Sequence, residues 1–316
     1  MKLVSQKREK SLDVQQMIAD KKKKGLGRKA EKIVPVLLFI TAAVSVLTTI
    51  GIVFTLIFET VEFFRRVSFL EYITGTEWLP FAGDPSYGVL PLVIGTLKVT
   101  GIAIIVAVPL GLAVAIYLSE FASDKVRRLI KPILEVLAGV PTIVYGFFAL
   151  TFVTPMLQKV FPSLEIFNAL SPGIIIGIMI LPTIASLSED ALSSVPNAMR
   201  EGAFGLGSTK FEVALKVVLP AALSGVLASI VLAMSRAIGE TMIVSLAGGS
   251  TPLFNFDVEG SIQTMTAYIV QVSTGDAGYG TTIYYSIYAV GFTLFIFTLM
   301  MNLIAGWISK KFREEY

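Results

Sequence analysis

Long unbroken apolar runs separated by shorter polar connections dominate the chain, at about 33–58, 89–118, 132–157, 172–187, 221–247 and 284–308. The first of these holds no charged residue, and at about 1.5 Å of rise per residue it exceeds what a hydrocarbon core of roughly 30 Å requires, so it can cross with tilt. The fourth is shorter. None shows the alternation of apolar and polar positions, over segments of about ten residues, that marks barrel strands. The pattern predicts an all-α polytopic membrane protein with six transmembrane helices, which places both termini on the same side.

Composition agrees with that class, with 54% hydrophobic and 16% charged residues and a mean hydropathy of +0.76. Cysteine and histidine are both absent, which excludes disulfides, thiolate nucleophiles, histidine bases and Cys/His metal sites. No other catalytic groups converge, so the chain reads as a non-enzymatic membrane protein with no metal and no cofactor of its own.

Placement of charge matters more than its total. Residues 1–32 carry eleven Lys or Arg against four acids, a solvated basic tail too long for the n-region of a signal peptide, and no cleavage is expected. With the N-terminus inside, 21 of the 26 basic residues fall in the tail, in 119–131, in 188–219 or after 308. Only Arg65, Arg66 and Lys159 fall in outside loops, and Lys98 and Arg236 lie within spans. Because Lys and Arg are retained in cytoplasmic loops, both termini are expected in the cytoplasm. The outer segments 59–88 and 248–283, the second with Asp257, Glu259 and Asp276, can then face a periplasmic partner. No inverted repeat of the secondary-carrier kind is evident.

The connection between the fourth and fifth runs reads SEDALSSVPNAMREGAFGLGSTKFEVALKVVLP over 188–220. Pro196 can open a helix over 197–206, Gly207 supplies a turn, and a second helix is expected from about Thr209 to Leu219 and Pro220. Two short helices about a glycine turn form a protrusion suited to a groove on another protein. Glu201, Ala203, Gly207, Leu219 and Pro220 stand at the spacing of the E-A-A-x3-G-x9-I-x-L-P signature, with Gly202 and Val217 as conservative departures. The segment resembles the coupling loop of ABC importer permeases. The alternative is an ordinary interhelical loop with a chance match. Gly202 to Thr209 also approaches the phosphate-binding loop pattern, but its lysine is missing and no strand precedes it.

Three further segments, ILEVLAGVPTIVYGFFAL at 133–150, LPTIASLSEDALSSVP at 181–196 and SRAIGETM at 235–242, resemble phosphate-uptake (Pst) permeases. The outer segments FLEYITGTEWLP at 69–80 and YGVLPLVIGTL at 87–97 resemble the C-type subunit of that family. The resemblance spans nearly all of the chain after residue 33. It implies a type I ABC importer permease fold in a bacterial plasma membrane. The division would be a basic tail at 1–32, a first helix and periplasmic loop at 33–88, a permease core at 89–308 with coupling loop 188–220, and a cytoplasmic tail at 309–316. It also implies an ABC ATPase dimer that binds ATP and Mg, a second, A-type permease, and a periplasmic or lipid-anchored phosphate-binding protein. No nucleic-acid partner is expected. Sulfate or molybdate in place of phosphate, and a stand-alone secondary carrier, are the alternatives.

Four ionisable residues fall within or at the margins of the predicted spans. Arg236 and Glu240, four apart on the fifth, would share a helix face and could pair. Arg236 suits an oxyanion through its planar, permanently charged fork, and Glu240 could hold it or accept a proton. Alternatively the pair only neutralises itself. Lys98 could contribute to the path or snorkel outward, and Glu135 fits a hydrated span margin. Gly139 and Pro141 suit close packing or a kink.

Overall fold

The computed structural model describes residues 25–275 and 277–311. The tail 1–24, Asp276 and residues 312–316 lie outside that range, so most of the expected basic tail is beyond description. The chain divides into two units at Thr55 and Leu56.

Helix α1, Gly25–Phe64, crosses this division and is apolar enough to span from Ile33 onward. Val36, Leu37, Leu38 and Phe39 are each more than half exposed, as side chains facing lipid would be.

In the second unit, α2 (Phe69–Thr74) and the two-residue antiparallel strands β1 (Trp78–Leu79) and β2 (Ser86–Tyr87) precede α3 (Leu90–Ile116). They enclose an aromatic cluster in which Phe63, Tyr72, Trp78 and Tyr87 meet edge to face at centroid distances of 5.5–6.3 Å. Trp78 is only 1% exposed, and its indole nitrogen has no hydrogen-bond partner among the described residues. A π-helical turn, Tyr117–Phe121, extends α3.

Next comes α4 (Asp124–Gly139), then α5 (Thr142–Phe148), a π-helical turn (Ala149–Val153) and α6 (Thr154–Gln158). The chain bends by 87° between α4 and α5. Pro141 has no N–H and disfavours a helical residue before it, and Val140 is extended at φ −65° and ψ 130°, which interrupts the helix. The third predicted run, 132–157, straddles this elbow and is a bent pair of helices rather than one straight helix. Gly139 and Pro141 do mark a kink.

Helix α7, Leu170–Ser193, runs further than the predicted 172–187. It can carry Glu189 fully buried because Arg127 and Lys131 of α4 converge on that carboxylate. After it come α8 (Asn197–Gly205), α9 (Lys210–Val213), a π-helical turn (Ala214–Val218), α10 (Leu219–Ala221) and α11 (Leu223–Ile238), with a 73° bend between α10 and α11. Then follow α12 (Met242–Ala247), α13 (Met265–Thr274) and α14 (Thr282–Lys311). Among the described residues, four helices are long and apolar enough to cross a membrane, and up to six crossings result if each bent pair counts as one.

The main core is the seam of α3 and α7, built from Val99, Ala103, Ala107, Ile176, Met179, Ile180 and Ile184. Gly177 permits the approach, since a Cβ there would stand 2.9 Å from the Ala103 carbonyl oxygen. Small residues at such crossings replace the hydrophobic drive that lipid does not supply.

Candidate functional site: a docking knob and a broken helix

The segment between α7 and α11 forms a knob whose turns are fixed by local chemistry. Pro196, extended at φ −59° and ψ 138°, opens α8. Gly207 closes it at φ +87°, with the Gly207 amide on the Phe204 carbonyl (2.9 Å) and the Ser208 amide on the Ala203 carbonyl (3.2 Å), the paired bonds of a Schellman end. Thr209 opens α9 through a reciprocal capping box with Glu212. The backbone and hydroxyl bonds from Thr209, together with Lys216, pull the Glu212 carboxyl down to about 2. Both helix starts and the glycine turn fall where the sequence predicts them. The near match to a phosphate-binding loop is helix and turn, with helix rather than strand before it.

Ala203 and Leu219 pack against a cluster of Ala115, Leu192, Val195, Val213, Val218 and Val226. Outside that cluster, Leu206 is 90% exposed, Phe211 62% and Phe204 44%, an apolar face on a polar connection. Gly202, Gly207 and Pro220 are exposed as well.

Glu201 is also exposed and makes no hydrogen bond or ion pair within the described residues, so it neither caps nor pairs its helix. Arg200 carries the pairing instead. Its guanidinium bonds Glu120 (Nη2 to Oε1, 3.0 Å), the Leu192 carbonyl (2.9 Å) and the Val195 carbonyl, and fixes the knob to the ends of α3 and α7. Arg200 and Glu120 were missed from sequence. The available signal was an acid at the margin of an apolar run and an arginine in the connection, 80 residues apart.

The predicted pairing of Arg236 with Glu240 is not formed. An i, i+4 pair needs a continuous helix, and α11 ends at Ile238. Beyond Gly239, the Glu240 Oε1 accepts the backbone N–H groups of Met242 (3.1 Å) and Ile243 (3.3 Å) at the start of α12. Glu240 is thereby 8% exposed. Arg236 is exposed on the surface of the single chain, and its guanidinium donates to the Thr183 hydroxyl at 3.4 Å.

Lys98 is half-buried, and its ammonium donates to Asn255 Oδ1 and to the Asp257 carbonyl, both at 2.8 Å. It anchors the connection between α12 and α13 and lies in neither cluster above. Glu135 is exposed on α4. A cleft lined by Trp78, Phe81, Pro252, Gln263 and Gln271 has no charged residue in its wall.

Residues 107–314 match the family described as binding-protein-dependent transport system inner membrane component. Among curated relatives, "Probable ABC transporter permease protein YqgH" of Bacillus subtilis is 35% identical over 248 residues, 78% of this chain and 79% of that protein. "Phosphate transport system permease protein PstC" of Mesorhizobium japonicum is 33% identical, over 75% of this chain and 77% of its own length. Among solved structures, a bacterial ABC transporter involved in the import of the acidic polysaccharide alginate aligns with a TM-score of 0.63 at 16% identity, covering 88% of this chain and 96% of that one. That likeness supports the helical permease fold alone. Two-thirds of the chain falls inside the matched domain, and the knob, the broken helix and the α3–α7 seam all lie within or reach into it. The chain is accordingly a member of the binding-protein-dependent transport system inner membrane component family, a non-catalytic ABC permease of the bacterial plasma membrane.

Proposed function

We propose that this chain is one half of the pore of an ATP-driven importer that carries inorganic phosphate into the cytoplasm. The observation that carries the reading is the knob. A pair of short helices, tied by Arg200 to two membrane helices, presents Phe204, Leu206 and Phe211 outward within the segment that carries the coupling signature. Glu201, Gly202 and Gly207 form its free edge, and Ala203, Leu219 and Pro220 its base. The apolar face fits a groove on a separate ATPase dimer, which binds ATP and Mg. Phosphate is favoured by the relatives from Mesorhizobium japonicum and Haemophilus influenzae, both phosphate transport system permease proteins.

The proposed topology is six crossings with both termini and the knob in the cytoplasm. A reporter fused after Arg200 should then be cytoplasmic and one after Gly249 periplasmic. The core would be 89–308, preceded by a first helix and periplasmic loop at 33–88 and flanked by the tails 1–32 and 309–316. A second permease of A-type completes the pore, and a phosphate-binding protein meets the outer loops.

An arginine exposed toward lipid near the centre of a span costs roughly 2.5–3.5 kcal/mol on insertion scales. Arg236 avoids that cost if its face meets the second permease across an aqueous path. There its fork offers two parallel donors to a tetrahedral oxyanion, and the buried Glu240 sets the polarity beyond the helix break. Lys98 holds the outer loop at the mouth of that path. The test is Arg236→Gln in the assembled complex, which should abolish phosphate uptake, with Arg236→Lys restoring only part. Competition by sulfate or molybdate at equal potency would reassign the substrate, and normal phosphate uptake by Arg236→Gln would remove the arginine from the path.

A further inference from the structure

Glu189 has no role in the reading above, yet it is the most deeply buried carboxylate among the described residues, with a side chain 0% exposed. Its Oε1 faces the Arg127 guanidinium and accepts from the Ser193 hydroxyl at 3.2 Å. Arg127 in turn donates to the Ser193 hydroxyl at 2.9 Å. Its Oε2 has no hydrogen-bond partner among the described residues and is neutralised by the Lys131 ammonium, 2.5 Å away. Lys131 also lies 3.6 Å from Asp190. Two cations of α4 therefore close on one carboxylate in the last turns of α7. Burying an ion costs several kcal/mol, recovered only with close partners, so the Glu189 carboxylate depends on the cations that α4 brings to it.

What this clamp joins is specific. The end of α7 runs into the knob, and Arg200 of the knob bonds the carbonyls of Leu192 and Val195 just past Glu189. On the other side, α4 turns the elbow into α5, and the Tyr145 hydroxyl donates to the Leu137 carbonyl at 2.7 Å across the bend. That brace makes α4 and α5 one L-shaped piece. Its far arm packs on α12 at Gly146, where a Cβ would stand 3.1 Å from the Met242 carbonyl oxygen and 3.2 Å from the Ile243 Cα. Met242 and Ile243 are the residues whose N–H groups hold Glu240.

The knob is thus connected to the two sides of the Gly239 break by different routes. It reaches Arg236 along the chain, through α10 and α11. It reaches Glu240 through Glu189, Arg127 and Lys131, the elbow and α12. We propose that Glu189 is a positioning residue for transport, the joint through which movement of the knob shifts α12 and Glu240 relative to Arg236. This rests on the reading of the knob as the ATPase dock.

The chain has no native cysteine, so one introduced thiol is unique within it. Ser245→Cys places that thiol in α12, a nearly isosteric change at a half-buried position. The experiment uses the complex purified with its ATPase and measures thiol modification with and without trapping by ATP and vanadate. Ser245→Cys alone should change its modification rate roughly tenfold on trapping, as expected for a shift between two populated states. With Glu189→Gln added, the complex should hydrolyse ATP at its basal rate while the trapping-dependent change and phosphate uptake are both lost. Lys131→Gln removes one cation at a half-exposed position and leaves Arg127 in place, so assembly is retained. It should reduce the change about threefold and provides the measurement if Glu189→Gln fails to assemble. A parent without any trapping-dependent change would overturn the docking reading and this inference together. A parent that responds, with Glu189→Gln and Lys131→Gln responding equally, would overturn this inference alone.

Discussion

Replacing Arg200 with Met tests whether the knob is held by charge or by packing. The side chains of Arg200 and Glu120 are 14% and 7% exposed, so solvent screens them little. At 3.0 Å and an effective dielectric of about 20, their attraction is about 5.5 kcal/mol before desolvation is deducted. Desolvation offsets much of that, while the bonds to the carbonyls of Leu192 and Val195 add roughly 1.5 kcal/mol or more each for a charged donor. Removing the guanidinium leaves Glu120, among the described residues, with only the Ser119 hydroxyl, so a net loss of about 2–4 kcal/mol is expected. That raises the fraction of detached knob roughly 30- to 1,000-fold. Amide hydrogen exchange over 197–206 in the detergent-solubilised complex reads this opening directly. Arg200→Met should accelerate exchange there and leave the α3–α7 seam unchanged. Adding Glu120→Gln should recover about 1.5 kcal/mol, since the stranded charge is gone. Unaltered protection in Arg200→Met, or a coupling energy below about 0.5 kcal/mol, would refute the electrostatic account and assign the knob to its apolar cluster.

Gly207→Val should cost about 1–2 kcal/mol from backbone strain alone, because nothing lies within 4 Å of a Cβ there, and Gly207→Asn should cost less; ATP-coupled phosphate uptake should rank glycine, asparagine, valine. Thr209→Ala removes the cap of α9 for about 1 kcal/mol, seen as faster exchange at 212–214. Because the Glu212 carboxyl is lowered from 4.5 to about 2, the capping contribution is present above pH 4.5 and is lost only as pH falls toward 2, so α9 should hold its protection between pH 5 and 8. Gly177→Leu forces apart α3 and α7 against the Ala103 carbonyl, with an expected loss of at least 1–3 kcal/mol, roughly, in thermal stability in detergent. Lys98→Met frees the loop at Asn255 and Asp257, which should become more sensitive to protease while the apparent affinity for phosphate is kept.

Apolar runs located the membrane helices in the sequence because lipid demands contiguous hydrophobicity, and the knob was legible because its turns are built locally, from Pro196, Gly207 and the Thr209–Glu212 box. What escaped detection was set by distance or by a break in periodicity. Glu240 lies four residues from Arg236, and only the end of α11 at Ile238 sends it to cap α12. The elbow at Pro141 divides one apolar stretch into two directions, and hydropathy carries no direction. Arg200 with Glu120, and Glu189 with Arg127 and Lys131, pair across tertiary contacts that no spacing rule reaches. Glu201 stands in the signature yet is unpartnered among the described residues, as a residue directed at another protein would be.

The chain contains two tryptophans, and their surroundings differ sharply. Trp78 is sealed among aromatic rings at 1% exposure, whereas Trp307 is 63% exposed near the end of α14. An indole shut away from water emits at shorter wavelength and is shielded from aqueous quenchers. Emission from Trp78 therefore supplies an intrinsic optical gauge of the cluster of Phe63, Tyr72 and Tyr87, readable in a Trp307→Phe background without any attached dye.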